Sequence, residues 1–189
     1  MEKIRLGISA CLLGENVRYD GGHKLDRFLT DTLGQFVEYV PVCPEVECGL
    51  PVPREAMRLE GDPNSPRLMT IGTKQDMTDR MVQWAQKRVI DLEKENLCGF
   101  IFKSDSPSSG MERVNVYKEK GIPAKKGIGM FARIFMDLIF METNTTPLQN
   151  LNQNLMQPEK AKNLFLLKRH FTMMKKLTSK SCKPARPCK

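Results

Sequence analysis

The sequence has little histidine, no long apolar run and few aromatic residues near its C-terminus. Each shortage disfavours one class of site or protein. Its two histidines, His23 and His170, lie beside no cysteine, which disfavours a zinc site of mixed cysteine and histidine ligands. No stretch approaches the roughly 20 apolar residues that a membrane-spanning helix needs. The N-terminus MEKIRLGIS begins with a strand-like pattern, so we expect no signal peptide. We therefore expect a cytoplasmic protein.

The six cysteines are poor candidates for disulfide bonds, because a reducing compartment keeps thiols free. Metal binding or catalysis then competes with simple burial, the commonest fate of a free cysteine. Two of the cysteines, Cys43 and Cys48, lie close together in VCPEVECGLPVPR, residues 42–54, directly after an apolar run. This stretch is the first candidate for a chemical role.

The net charge of +8 suggests a nucleic-acid binder, but this charge is distributed unevenly along the chain. Residues 158–189 hold ten lysines and arginines and one acid, so they carry +9 and the rest of the chain carries −1. Only Phe165 and Phe171 interleave these basic residues, which is too sparse for a base-stacking platform. Nucleic-acid binding through this segment therefore stays a minor hypothesis, and solubility is the preferred explanation of its charge.

The hydrophobic pattern predicts strands that alternate with helices. Alternating or continuous apolar residues predict strands over 3–9, 36–42 and 99–103, a hairpin around GDPNSP and a weaker strand at 114–117. Helical spacing predicts helices over about 24–35, 75–96 and 129–140. Thr73 and Asp76 have the spacing of a capping box at the start of the second helix.

This order predicts an α/β fold with three layers and a mainly parallel open sheet, followed by a C-terminal basic helical or disordered tail. We expect the α/β domain to cover 1–140, a polar linker 141–158 and the basic tail 159–189. In such sheets, ligands bind beyond the carboxyl ends of the strands. The loops expected there, 10–23, 43–54 and 104–110, hold the candidate residues Cys11, Cys43, Glu45 and Ser106.

The residue types in these loops leave several chemistries open. Cys11, Cys43 and Cys48 offer three soft ligands for zinc or an iron–sulfur cluster, although C-x4-C spacing alone is weak evidence. A nucleophilic thiol would instead need an activating neighbour, such as His23 beside Cys11. Glu45, two residues after a cysteine, is either an acid–base group or a solvated loop charge. SDSPSSG is either an anion cradle or a simple turn.

Four stretches together resemble one bacterial family, the thiouracil desulfidases. These stretches are ISACLLGENVRYDGGHK at 8–24, VCPEVECGLPVPR at 42–54, KSDSPSSGMERV at 103–114 and GIGMFAR at 127–133. They occur in order over about residues 3–140, and the set is far more specific than any one motif in it. The resemblance implies a 4Fe-4S cluster held by three cysteines, with a fourth iron that binds the sulfur of a thiolated base. Sulfur then leaves as hydrosulfide without net redox change.

The resemblance also assigns roles to individual residues of this chain. Cys11 and Cys43 match the first two cluster ligands, Glu45 matches the acid–base residue, and Ser106 matches the catalytic serine. Ser9 and Ser108, which flank these positions, are expected to bind substrate.

One departure from the family pattern bears on all of these roles. The family's third loop normally reads Ser-Pro-Ser-Cys-Gly with cysteine as the third ligand, whereas this chain has Ser109 there. Cys48 is the preferred substitute, and Cys98 is a poorer one because it precedes a strand. Three outcomes are open: a cluster on Cys11, Cys43 and Cys48, a labile cluster with Ser109 as ligand, or no cluster. The alternative function is that of a catalytically impaired homologue that binds small molecules or nucleotides.

Overall fold

The computed structural model describes residues 3–118 and 122–144. The expected basic tail, and all of the expected linker except 141–144, lie outside these residues. No helix in the described part of the chain combines the length and apolar character that crossing a membrane requires.

The first sheet is parallel and contains three strands in the order β2-β1-β5. These strands are β1 (Ile4–Ser9), β2 (Val37–Val42) and β5 (Phe100–Ile101). Ile8 of β1 is fully buried and lies opposite both Pro41 and Ile101 in the two ladders. Because all three strands run the same way, the loops that follow them leave from one edge of the sheet.

The second sheet is mixed and contains four strands in the order β4-β3-β6-β7. These strands are β3 (Met57–Asp62), β4 (Ser65–Thr70), β6 (Val114–Tyr117) and β7 (Ala124–Gly127). β3 and β4 form the predicted antiparallel hairpin, and β6 lies parallel to β3. β7, AKKG, was not predicted from the sequence, because its two lysines are exposed and only Gly127 is buried. A Cβ at Gly127 would lie 2.5 Å from Val116 Cγ2, so glycine allows the strands to approach.

Two long helices bury most of their apolar faces. α2 (Thr78–Lys94) buries Met81, Ala85, Val89 and Leu92, as its helical spacing predicts. α3 (Met130–Asn144) packs against α2 and contributes Phe131 and Phe135 to a group of aromatic rings that also holds Phe100 and Phe102. α3 extends four residues past the domain boundary expected at 140. A third helix, α1 (Pro44–Glu47), is a single turn after β2.

One local prediction was correct only in part, and another was wrong. The segment expected as a helix over 24–35 forms a π-helical turn at Phe28–Thr32 and a 3-10 turn at Leu33–Gln35, and Leu29 is the one buried residue of these two turns. The capping box does not form. Thr73 Oγ1 hydrogen-bonds Thr70 and Glu55, while α2 begins five residues later at Thr78.

The predicted α/β class with parallel strands is confirmed, and the structure adds that the strands are divided between two sheets. The carboxyl ends of β1, β2 and β5 meet at one edge, as expected. The loops that carry Cys11, Cys43 and Ser106 therefore leave the first sheet side by side.

Candidate functional site

A cavity of about 310 Å³ lies at the carboxyl edge of the first sheet. The loops after β1, β2 and β5 all contribute to its wall, together with Ala56, Met57 and Ile71 from the vicinity of the second sheet. Its lining includes most of the predicted site residues, namely Ser9, Cys11, Cys43, Glu45, Ser106, Ser108 and Ser109. The structure thus brings together side chains that lie up to 100 positions apart in the sequence.

Cys11 lies in a 3-10 turn, Ala10–Leu13, directly after β1. Its side chain is buried, and burial raises the pKa of the thiol, while the nearby cations Lys103 and Arg18 act in the opposite direction. Its carbonyl oxygen accepts the N–H of Lys24 at 2.8 Å, which anchors the turn to the rest of the loop. The thiol therefore faces the cavity from a fixed backbone and is mostly protonated at neutral pH.

Cys43 lies directly after β2 and before the first residue of α1, Pro44. Its backbone N–H donates to Glu47 Oε1 at 2.9 Å, so the short helix folds back on the cysteine. The thiol lies 3.7 Å from the carbonyl oxygen of Val17 in the loop after β1. Burial raises the pKa of this thiol as well.

Cys48 lies outside the cavity. It follows α1 and packs against the core cluster that includes Leu59, Leu68 and Met81, and its thiol donates to the carbonyl oxygen of Glu45 at 3.2 Å. Over residues 3–118 and 122–144, no three side chains of histidine, cysteine, aspartate or glutamate group closely enough to hold a metal ion. Cys48 as the third ligand stays a prediction, and its packing against the core makes Ser109, which lines the cavity, the better-placed candidate.

Ser109 does line the cavity. The residue is 4% exposed, and within the described chain its hydroxyl has no hydrogen-bond partner, although its N–H donates to Ser106 Oγ at 3.1 Å. Since Ser109 lines the cavity, this hydroxyl is available to bind a ligand there. The position expected for the third ligand is thus occupied by an available oxygen.

The loop that carries Ser109 is fastened to the start of α3. The N–H groups of Met130 and Phe131 donate to the carbonyl oxygens of Pro107 and Ser108 at 3.1 and 2.9 Å. A Cβ at Gly129 would lie 2.6 Å from the Ser108 carbonyl, so only glycine permits this approach. Gly129, Met130 and Phe131 of the GIGMFAR stretch therefore contribute to the site by holding the serine loop in place.

Glu45 is held at both of its carboxylate oxygens. Oε1 accepts the Ser108 hydroxyl at 2.8 Å. Oε2 accepts two N–H groups of Arg54, with Nε at 2.8 Å and a shorter bond from Nη2. The side chains of Glu45 and Arg54 are 15% and 4% exposed, so the pair is largely shielded from water. This paired carboxylate is the most strongly constrained acid in the cavity wall.

The hydroxyl groups next to Glu45 have a defined donor direction. A carboxylate only accepts, so Ser108 Oγ donates its proton to Glu45 and accepts the bond it shares with Ser106 Oγ at 3.0 Å. Ser106 Oγ also accepts the N–H groups of Ser108 and Ser109 at 3.3 and 3.1 Å. The protons therefore point from Ser106 through Ser108 to Glu45.

Ser9, the last residue of β1, joins two strands of the first sheet. Its Oγ accepts the backbone N–H of Lys103 at 2.9 Å, beyond the end of β5. It is 3% exposed and lines the cavity. Its hydroxyl proton has no acceptor among the described residues, so it can donate to a bound molecule.

No role was predicted from the sequence for the three cations in the cavity wall, Arg18, Arg54 and Lys103. Arg54 ends the VCPEVECGLPVPR stretch, but no local pattern shows that it pairs with Glu45, nine positions earlier. Lys103 forms no ion pair within the described chain, and burial lowers the pKa of its ammonium group. Its position directly after an apolar strand is the only signal available in the sequence.

The fold and this cavity define an α/β protein with two thiols, a paired glutamate and a serine-rich loop at the carboxyl edge of a parallel sheet. The class of this protein follows from its sequence, because the family model for 2-thiouracil desulfurase matches residues 6–144. The chain belongs to the 2-thiouracil desulfurase family.

Two relatives extend this comparison. The uncharacterized protein YbbK of Bacillus subtilis (strain 168) is 27% identical over 108 residues, which cover 54% of this chain and 71% of YbbK. Among solved structures, the 4Fe-4S-dependent thiouracil desulfidase TudS is similar with a TM-score of 0.60 and 29% identity. That match covers 73% of this chain and 87% of TudS.

The residues of the cavity wall fit an iron–sulfur cluster through two sulfur donors and one oxygen donor. Cys11, Cys43 and Ser109 reach the cavity from three different loops, and the hydroxyl of Ser109 has no competing hydrogen bond within the described chain. Thiolates are the usual ligands of such clusters, and serine oxygen is a harder donor. The donor set is therefore adequate in number and weaker than three cysteines in strength.

Proposed function

We propose that this protein removes sulfur from thiolated pyrimidines such as thiouracil, without net redox change. In this reaction the carbon–sulfur bond breaks, a carbon–oxygen bond forms, and water supplies the oxygen and the two hydrogens of the sulfide product. The observation that carries the proposal is that Cys11, Cys43, Glu45 and Ser109 line one cavity in a member of the 2-thiouracil desulfurase family. A reducing cytoplasm suits a site built on free thiols.

The proposed cofactor is a 4Fe-4S cluster held by Cys11, Cys43 and Ser109. When bound, the cluster supplies an iron that acts as a Lewis acid on the substrate's sulfur. Cations near the two thiols favour their charged forms, since Lys103 and Arg18 lie near Cys11 and Arg54 lies near Cys43. Cluster binding must displace the thiol protons that burial retains, so assembly is favoured by higher pH.

Glu45 is the proposed acid–base residue. Arg54 occupies its Oε2 oxygen, which leaves Oε1 as the oxygen that exchanges protons with the cavity. From this position Glu45 directs a water molecule at the carbon that loses sulfur and accepts a proton from that water.

Ser106 and Ser108 are proposed to carry protons to and from Glu45. Ser108 is 1% exposed and has its hydroxyl between Ser106 and Glu45, so we assign it to this relay and no longer to substrate binding. Ser106 already donates one bond and accepts two, so it contacts substrate only by exchanging one of them. Ser9, with an unpaired hydroxyl proton in the described chain, remains the proposed substrate-binding serine.

The wall of the cavity suits a small planar substrate. Apolar contacts come from Val17, Met57 and Ile71, and the ring of Tyr19 lies at the same cavity. The cavity of about 310 Å³ has to hold the cluster as well as the substrate, so it favours a free base over a larger ligand.

The test is anaerobic turnover of 2-thiouracil by the full chain after cluster reconstitution. We expect uracil and sulfide in equal amounts, with no turnover by the iron-free chain. A brown protein with about four irons and broad absorption near roughly 400 nm would accompany this activity. A chain that stays colourless and inactive after reconstitution contradicts the proposal and favours a small-molecule or nucleotide-binding function.

A further inference from the structure

Arg54 contacts several parts of the cavity wall, and its pairing with Glu45 alone does not require all of these contacts. Its guanidinium donates to Glu45 Oε2, to the carbonyl oxygen of Val17 at 2.8 Å and to that of Pro51 at 3.2 Å. Its own backbone N–H donates to the carbonyl oxygen of Tyr19 at 2.8 Å. One buried side chain thus joins the loop after β1 to the loop after β2.

The carbonyl oxygen of Val17 is shared by two groups of the site. It accepts Arg54 Nη2 at 2.8 Å and lies 3.7 Å from the Cys43 thiol. Val17 lies in the same loop as Cys11, six positions later. The contact that anchors Arg54 therefore also sets the distance between the loops that hold the two cavity thiols.

We propose that Arg54 is a positioning residue that fixes the Cys11 and Cys43 loops relative to each other and orients Glu45. This inference deepens the proposed function. Its structural part stands without that function, and only the effect of Arg54 on catalysis rests on it. In the orientation that Arg54 sets, Oε2 of Glu45 is occupied and Oε1 is directed to Ser108. Without Arg54, the carboxylate can rotate and the relay of Ser106 and Ser108 loses its acceptor.

Only arginine has the geometry for this role. Its planar guanidinium carries five N–H donors, and here Nε, Nη1 and Nη2 all bind oxygen acceptors of the two loops. A lysine at this position keeps the charge but offers a single nitrogen, which cannot reach the carboxylate and both carbonyls at once. Arg54→Lys therefore separates the effect of geometry from the effect of charge.

The test uses the iron-free full chain, so it does not depend on the cluster. Arg133 is a matched control, because its guanidinium also donates to two backbone carbonyls, those of Pro63 and Asn64, away from the cavity. We expect Arg54→Lys to accelerate amide hydrogen exchange in the loop over 15–22 by at least about tenfold, the loss expected for charged hydrogen bonds. Alkylation of Cys43 should become faster in parallel. Arg133→Lys should change neither quantity.

Unchanged exchange over 15–22 and unchanged Cys43 alkylation in Arg54→Lys overturn the inference. If Arg54→Lys does not fold, the same two quantities in Arg54→Gln decide the matter in the same way. In the cluster-loaded protein, a positioning role predicts a lower kcat with KM little changed for Arg54→Lys. Loosened loops in Arg54→Lys, together with a wild-type chain that never desulfurises thiouracil, would support the role of Arg54 and reject the proposed function, so the two failures are distinguishable.

Discussion

The two ends of the short helix α1 face different parts of the molecule. Cys43, before Pro44–Glu47, lines the cavity, whereas Cys48, after this helix, packs against the hydrophobic core. Burial raises the pKa of both thiols, so the local environment of each thiol does not separate them. They differ in their neighbours, because Cys43 lines the cavity together with Cys11, Glu45 and Ser109. The proposed roles of the two cysteines therefore rest on their neighbours in space and not on a difference in the direction of their pKa shifts.

The largest expected effect separates the cavity thiols from the core thiol. Cys11→Ala and Cys43→Ala should each abolish cluster retention, because each removes one of two sulfur donors. Cys48→Ala, the matched control, should retain iron and sulfide at the wild-type level. Iron and acid-labile sulfide assays after anaerobic reconstitution make the comparison. Loss of the cluster in Cys48→Ala would reverse the assignment of the two ends of α1.

The second effect concerns the two carboxylates of α1. Glu45→Gln should lower kcat by roughly 10²–10⁴-fold, the usual contribution of an acid–base group. Glu47→Gln is the control, because Glu47 pairs with Arg88 on the surface and binds the backbone N–H of Cys43. An exposed ion pair of this kind contributes about 1 kcal/mol or less. Equal losses in the two variants, measured by uracil release, would remove Glu45 from the acid–base role.

A smaller effect is expected from restoring the family's cysteine at the third-ligand position. Ser109→Cys should bind the cluster more tightly, because a thiolate is a softer ligand for iron than a serine oxygen. We expect iron loss to a chelator to slow several-fold relative to wild type, while Ser109→Ala loses iron faster. Equal rates of iron loss for all three proteins would mean that position 109 does not contact the cluster.

The smallest effect lies away from the cavity, just before α2, at the exposed residue Asp76. Asp76 Oδ1 accepts the N–H of Thr78 at 2.9 Å, and hydrogen bonding to Thr78 holds the pKa of the Asp76 carboxyl below its usual value. Because the folded pKa is depressed, this stabilisation is present above the unfolded carboxyl pKa and is lost as the pH falls through the folded one.

Asp76→Ala should therefore cost about 1 kcal/mol or less at neutral pH, because the side chain is 42% exposed and water screens its interactions. The cost should shrink as the solution is acidified, and cluster retention should not change. Urea unfolding of both proteins across the acidic range measures the difference. A cost that is independent of pH would show that the charge of Asp76 plays no part.

Local patterns in the sequence predicted the elements that place the site. The alternation in β1, the apolar run before Cys43 and the one before Lys103 identified three strands, and the parallel α/β rule then placed their loops together. The stripe of Met81, Ala85 and Val89 likewise identified α2. These predictions succeeded because each depends on residues within a few positions of one another.

The sequence could not predict which way the side chains around α1 point. Cys43 has an extended backbone and Cys48 follows the single helical turn between them, and the sequence did not predict this turn. The bond between Ser108 and Glu45 joins residues 63 positions apart, and no local pattern reports it. Arg54 was missed for the same reason, since its acceptors at Val17 and Glu45 belong to different loops.

The central claim is that the cavity holds an iron–sulfur cluster through Cys11, Cys43 and Ser109. A crystal structure of the anaerobically reconstituted chain, with anomalous data at the iron edge, tests it most directly. The account predicts iron density within bonding distance of the two Sγ atoms and of Ser109 Oγ, with Cys48 still packed in the core. Iron bound to Cys48, or a reconstituted chain without iron in this cavity, would contradict it.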